Sequence, residues 1–394
     1  MSGCSSSKES YDRENNYGTG AGASIRVLLD EQNSGYNLLI KNPVYLKESK
    51  GSLALINSGN TLSISNKGNE INLDIEGKRF TGKDFLLAAA EPGTTIDYGG
   101  KPYRGALKII SDGNEIKIVN ILSLEQYLKG VIPHEMPKGK GSEYYEALKA
   151  FTICARTYTI LKLNENKDLF DVFSDTRDQV YGGCGLENDA MNKIVDDTRG
   201  QILTYDDKPA ITLYSSTCGG YTEEAVNVFK KIDAPYLKGI KDGDSPYCSV
   251  SPKFTWTETF NEQTFVQRFI SSGYLDDDKY SLSNVKANSF FKSGRINELE
   301  LDFINNQSKI KSVKLYGNNI RYIIRTADNK SILESNNFDI KKDTYDKIII
   351  KGKGYGHGVG LCQWGALEQS REGKTYEEIL YFYYPGTSIE SYND

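Results

Sequence analysis

Residues 106–128, ALKIISDGNEIKIVNILSLEQYL, decide the class of fold. Ala106–Ile110 and Glu115–Asn120 are short apolar-rich stretches on either side of the Asp112-Gly113-Asn114 turn and read as two strands. Ser123 then stands as a helix N-cap, and Leu124, Tyr127 and Leu128 follow at helical spacing. A strand pair that runs directly into a helix reads as α+β.

On the N-terminal side, Ile25–Leu29, Tyr36–Ile40, Thr61–Ile64 and Ile71–Ile75 are short apolar stretches separated by Asn, Gly and Lys turns. They predict a small β domain over 24–100 that carries no catalytic constellation. On the C-terminal side, Ala147, Phe151, Cys154, Tyr158 and Leu161 recur every three to four residues, the core face of a helix from Ser142 to Leu163. Strands are expected at Ile202–Tyr205 and Ile211–Ser215. A helix at Glu262–Ile270 with strands at Ile296–Phe303 and Ile310–Leu315 predicts an α+β subdomain over 253–344, inserted into a mixed α/β catalytic body of 101–252 and 345–394. That body resumes at Ile348–Ile350 and closes with a helix at Gly365–Arg371.

Length and composition bound the function. A chain of 394 residues holds two or three domains. No apolar run approaches the roughly 20 residues that a membrane span requires. With 48 basic and 53 acidic residues, a net charge of -5 argues against nucleic acid as a partner. Met1-Ser2-Gly3-Cys4 resembles the end of a bacterial lipoprotein signal, with Met1 in the place of leucine, so Cys4 is the expected lipidated residue. Ser5–Ala23, rich in Ser, Asn, Gly and charge, is the expected tether. Residues 1–23 thus predict a membrane-anchored, extracytoplasmic lipoprotein whose only membrane contact is a lipid on Cys4.

Glu135 lies just past the helix that begins at Leu124, between Pro133 and Pro137 in apolar company. A carboxyl there loses solvation of its charged form, which favours general-acid chemistry near neutral pH. Gly354-Tyr355-Gly356-His357-Gly358 has a superficial phosphate-loop character, but no Lys-Ser/Thr pair follows it. Its glycines admit backbone of positive φ and close approach of ligand or chain.

Read together, several segments resemble the SpoIID/LytB family. They are Glu125-Gln126-Tyr127-Leu128 with Glu135-Met136-Pro137, Ala147-Leu148-Lys149-Ala150, and Ala155-Arg156-Thr157-Tyr158. Next come Asp175-Thr176 with Gln179-Val180-Tyr181-Gly182, then Ser215-Ser216-Thr217-Cys218-Gly219-Gly220-Tyr221-Thr222 and Pro235-Tyr236-Leu237. Gly354 through Ala366 and Tyr383-Tyr384-Pro385-Gly386-Thr387 complete an ordered set that spans Lys101 to Thr387.

The resemblance implies a peptidoglycan lytic transglycosylase with Glu135 as its acid/base, cutting between N-acetylmuramic acid and N-acetylglucosamine to leave 1,6-anhydro ends. It also implies glycan strands depleted of stem peptides, with sporulation, division and turnover all open as the setting. Arg156, Tyr158, Tyr181, Ser215, Ser216, Gly219, Gly220, His357 and Gln363 are the implied substrate-binding positions. Arg156 reads equally as a structural ion pair, and His357 as a histidine that fixes its loop. A hydrolase would need a second carboxylate at about 5 to 9.5 Å, for which Asp175 is the candidate. The alternative reading is a LytB-like glycan-binding enhancer of a cell-wall amidase. No cofactor is required. Cys218 and Cys248, carried by similar family members, predict a disulfide in an exported chain. His134, where a small residue is expected, leaves open a zinc site made with those two cysteines. Cys154 reads as inert core.

Overall fold

A computed structural model describes residues 23–48, 51–136, 141–165, 167–276 and 279–392. The expected lipidation site Cys4 and all of its tether but Ala23 lie outside the described residues. The protein is mixed α+β, as the sequence predicts. It divides into two compact units: 1–139 with 155–202 and 390–394, and 140–154 with 203–389.

The first unit is built on a seven-stranded sheet. Its strands run in the order Val172–Phe173, Ser24–Gln32, Glu115–Ser123, Ala106–Asp112, Asp84–Ala89, Val44–Glu48 and Gly51–Ile56. The pair of Val172–Phe173 with Ser24–Gln32 is parallel, and the remaining pairs are antiparallel. Strands from both sides of residue 100 share this sheet, so the boundary expected there falls inside one structure. Glu115–Ser123 sits centrally and is buried along nearly its whole length, as a strand covered on both faces must be. Tyr36–Leu39, Thr61–Lys67, Glu70–Ile75 and Lys78–Gly82 form a second, antiparallel sheet. Its inward residues, Leu62, Ile64, Ile71 and Leu73 among them, alternate with exposed ones.

Helix α1, Leu124–Glu135, starts where the sequence places it: the Ser123 side chain accepts the N–H of Gln126 at 3.3 Å. Leu124, Tyr127, Leu128, Val131 and Ile132 form its buried stripe. Glu135 was expected beyond the helix, but it is the last helical residue and Pro133 lies inside the final turn. The turn holds because Met136 N–H reaches Ile132 O at 3.1 Å and His134 Nδ1 donates to Gly130 O at 2.8 Å. Helix α2, Tyr145–Leu163, follows a short 3₁₀ turn at Ser142–Tyr144.

In the second unit, Thr255–Asn261, Lys347–Lys353 and Phe338–Lys342 make one antiparallel sheet, and Tyr280–Phe290, Ile296–Asn305 and Ile310–Tyr316 another. One core gathers Trp256, Phe260, Phe265, Phe269, Leu299 and Phe303 with Ile348 and Ile350. The strand expected to restart the catalytic body therefore belongs to the same sheet as Thr255–Asn261. The strand expected over Ile211–Ser215 shortens to Tyr214–Ser215, since Ile211 gives its N–H to the Tyr236 hydroxyl at 2.7 Å. A helix at Tyr376–Tyr383, missed in the sequence, follows Gln363–Arg371. Its capping box of Thr375 and Glu378 was present to be read.

Candidate functional site

In the first unit, α1 ends on Glu135 and the loop after Val172–Phe173 comes back over it. Glu135 is half-buried, and one carboxylate oxygen accepts the backbone N–H of Val180 at 2.6 Å. The rest of the loop is anchored on both sides of that contact. Gln179 is fully buried and accepts from Tyr127 Oη at 3.2 Å and Thr159 Oγ1 at 2.9 Å. Tyr181 donates to Asn120 Oδ1 at 2.7 Å and packs on Tyr127 and Tyr103. Asp178 accepts from Tyr158 Oη at 2.6 Å and from Phe173 N–H at 2.9 Å.

Two glycines are needed for this approach. A methyl group at Gly130 would lie 2.5 Å from the Tyr181 ring, and one at Gly182 would lie 2.2 Å from His134 Nε2. Helix and loop can meet only where neither carries a side chain. Burial drives the Tyr127 and Tyr158 hydroxyls well above their ordinary range; Asp178 adds to both shifts and the Glu135 charge contributes less.

Several expected binding residues have structural work instead. Arg156 is fully buried and forms a bidentate pair with Glu125, Nε to Oε1 at 2.9 Å and Nη2 to Oε2 at 2.8 Å. Its remaining donors reach Gln201 O, Val195 O and Thr198 Oγ1. That is the ion-pair reading, and it leaves no guanidinium face for a sugar. The Tyr181 and Tyr158 hydroxyls are likewise committed, to Asn120 and Asp178. Asp175, the candidate second carboxylate, is half exposed and chelated by Arg177, which holds its carboxyl below the usual range. The sequence reading passed over Asp178, whose nearly buried carboxylate holds Tyr158 and Phe173 N–H and lies 3.5 Å from Lys162 Nζ.

The remaining expected positions belong to the second unit. Thr217 and Tyr355 exchange backbone hydrogen bonds of 3.0 and 2.8 Å, which joins the Ser215–Thr222 segment to the glycine-rich Gly354–Gly360 turn. Gly358 has φ +80°, and a methyl there would fall 2.2 Å from Arg295 Nη2. Ser215 is buried, and its Oγ has no hydrogen-bond partner among the described residues. Ser216 gives its carbonyl to Trp364 N–H at 3.1 Å. Gly219 and Gly220 have φ +79° and +104°, and buried Gln363 opens the helix Gln363–Arg371. His357 Nδ1 accepts Val359 N–H at 3.1 Å, and its ring meets Phe229 edge-on. Burial, with Arg321 and Arg295 nearby, pushes its pKa down to about 3. It is therefore neutral at pH 7 and holds its loop.

The expected Cys218–Cys248 disulfide is not formed: the two sulfurs are free and 3.5 Å apart. His134, the third residue of the zinc set left open in the sequence, belongs to the first unit, where its Nδ1 donates to Gly130 O at 2.8 Å. Instead Cys362 and Asp242, neither singled out in the sequence, gather with the two cysteines. Cys154 is core as expected, and burial raises its thiol to about 12. No helix among the described residues is long and apolar enough to cross a membrane.

A family model described as Stage II sporulation protein matches residues 112–205, the stretch that contains Glu125, Glu135, Arg156 and Val180. An uncharacterized protein of Brachyspira hyodysenteriae is 36% identical over 94% of this chain and 93% of its own length. The amidase enhancer of Bacillus subtilis is 33% identical over 67% of this chain, which spans 40% of that protein. Stage II sporulation protein D of Bacillus subtilis is 31% identical over 69% of this chain and 75% of its own length. With a relative 31% identical and matched over three quarters of its own length, the chain belongs to the SpoIID family.

Proposed function

We propose that this protein is an extracytoplasmic peptidoglycan lytic transglycosylase, anchored by a lipid on Cys4, that cleaves between N-acetylmuramic acid and N-acetylglucosamine. Its substrate is glycan strands depleted of stem peptides. The observation that carries the reading is the half-buried Glu135 carboxylate, held by Val180 N–H at 2.6 Å, while its expected partner Asp175 is chelated by Arg177.

One carboxyl suffices for this reaction. Glu135 protonates the glycosidic oxygen and the bond from the muramic anomeric carbon to that oxygen breaks. The resulting carboxylate takes the proton of the muramic C6 hydroxyl as that oxygen bonds to the anomeric carbon. The product is a 1,6-anhydro ring, no water is consumed, and Glu135 ends protonated for the next turn. The Val180 N–H supports the middle of the cycle, because a donor to a carboxylate favours its charged form.

A second reading, an enhancer that grips glycan for a partner cell-wall amidase, is supported by the 33% identity to the amidase enhancer. Glu135→Gln separates the two. The amide keeps the shape but transfers no proton, so release of anhydro-muropeptides should fall by at least about 10²–10⁴-fold with the fold intact. Near-normal release from the variant would remove Glu135 as the acid/base. A wild-type chain that cuts nothing yet stimulates an amidase would establish the second reading.

A further inference from the structure

We propose that Cys218, Cys248, Cys362 and Asp242 form a structural zinc site in the second unit, independent of the glycan-cutting reading. All four are fully buried, and their ligand atoms lie within 4.8 Å of one another. The separation fits a shared ion: zinc bound tetrahedrally at about 2.3 Å from each sulfur sets sulfurs about 3.8 Å apart. Cys218 Sγ and Cys248 Sγ are 3.5 Å apart. A disulfide between them would leave the Cys362 thiol and a buried Asp242 carboxylate with no common partner. A cation serves all four, and a buried carboxylate needs such compensation.

The surroundings orient these groups. Asp242 accepts from Tyr383 Oη at 2.8 Å on one oxygen and from Cys248 N–H at 2.9 Å on the other. Cys362 Sγ accepts Cys218 N–H at 3.2 Å. Arg295, buried without exposure, donates to Cys218 O at 2.8 Å and brings a positive charge beside the cluster. Three thiolates and a carboxylate leave two negative charges around a divalent ion, and Arg295 offsets one. Such outer partners fix ligand geometry in metal sites. Sulfur donors select a thiophilic ion over magnesium or calcium, and four protein ligands leave no open position, the mark of a structural site.

The ion would tie together chain segments far apart in sequence. Cys218 lies between Ser215–Ser216 and Gly219–Gly220, Cys248 is in the 3₁₀ turn Tyr247–Val250, and Cys362 ends a strand just before Gln363. Zinc would thus replace the disulfide as the staple of the segments expected to meet the glycan.

The full chain, made in zinc-supplemented medium and dialysed against metal-free buffer, should retain about one zinc per molecule, with Cys218 and Cys248 unbridged by non-reducing mass spectrometry. Refilling with cobalt(II) should give intense thiolate charge-transfer and tetrahedral ligand-field bands from the wild-type protein. Cys362→Ser should weaken zinc at least about tenfold against a chelating dye, while Cys154→Ser, outside the set, should retain it. A wild-type chain that takes up neither zinc nor cobalt after reduction and loading overturns the proposal. So does a native Cys218–Cys248 disulfide, or full zinc retention by Cys362→Ser.

Discussion

Replacing Arg156 with methionine distinguishes a structural ion pair from a substrate donor. The change keeps most of the buried aliphatic stem and removes the guanidinium that meets both oxygens of Glu125 at 2.9 and 2.8 Å. It also strips Gln201 O, Val195 O and Thr198 Oγ1 of a donor. Breaking a buried pair by deleting one partner costs about 3–5 kcal/mol, because the other charge is left uncompensated. The Glu125 side chain retains 15% of its exposure, which lets water soften that penalty and sets the expectation at about 3 kcal/mol. In a unit of this size, each kcal/mol lowers the melting temperature by about 2–4 °C, so a fall of about 6–12 °C should appear in differential scanning calorimetry. Glu125→Gln should cost at least as much, since it leaves the fully buried Arg156 charge uncompensated and turns an amide donor toward one of its N–H groups. Glycan binding, measured below the transition, should be nearly unchanged in both. An Arg156→Met protein that melts within about 2 °C of wild type but binds glycan at least tenfold more weakly would refute the structural assignment.

Further outcomes follow from the same geometry. Gly130→Ala places a methyl group 2.5 Å from the Tyr181 ring and 2.8 Å from Gly183 O, so it should cost about 1–3 kcal/mol in chemical denaturation and slow cleavage by displacing Val180. Asp175→Asn should leave the yield and identity of cleavage products unchanged; a large loss of rate would restore it as a second catalytic carboxylate. The His357 pKa is about 3 in the fold against an unfolded value of 6.5, so the unfolded chain binds the extra proton. Stability of the second unit should be complete above about pH 6.5 and fall as pH drops toward 3. His357→Gln should flatten that dependence in a urea-midpoint series, and an unchanged slope would contradict the neutral, loop-holding histidine.

The parts of the fold that local chemistry specifies were readable in the sequence. Ser123 caps α1, the stripe from Leu124 to Ile132 packs its face, and Cys154 is core. The extension of α1 through Pro133 was not, because a proline normally marks a helix end. What carries the helix on is a contact of His134 with Gly130 and the cap of Met136 on Ile132. The site shows the same limit. Glu135 stood out through its local company, whereas Arg156 with Glu125 and Cys362 with Cys218 meet across 31 and 144 residues. No period or spacing encodes such encounters. Asp175 and Asp178 illustrate it most plainly: one loop carries both, and folding exposes the first to Arg177 and buries the second under Tyr158.

The central claim is that Glu135 works without a second carboxylate, so that the muramic C6 hydroxyl, not water, attacks the anomeric carbon. That hydroxyl belongs to the ring under attack, and well-oriented intramolecular groups reach effective concentrations of about 10⁵ M or more. Digestion of purified, stem-depleted glycan strands in oxygen-18 water, followed by mass spectrometry, measures the nucleophile directly. The account predicts unlabelled 1,6-anhydro-N-acetylmuramic acid ends, one water lighter than hydrolytic ends and resistant to borohydride. Reducible muramic acid ends carrying oxygen-18 would contradict it.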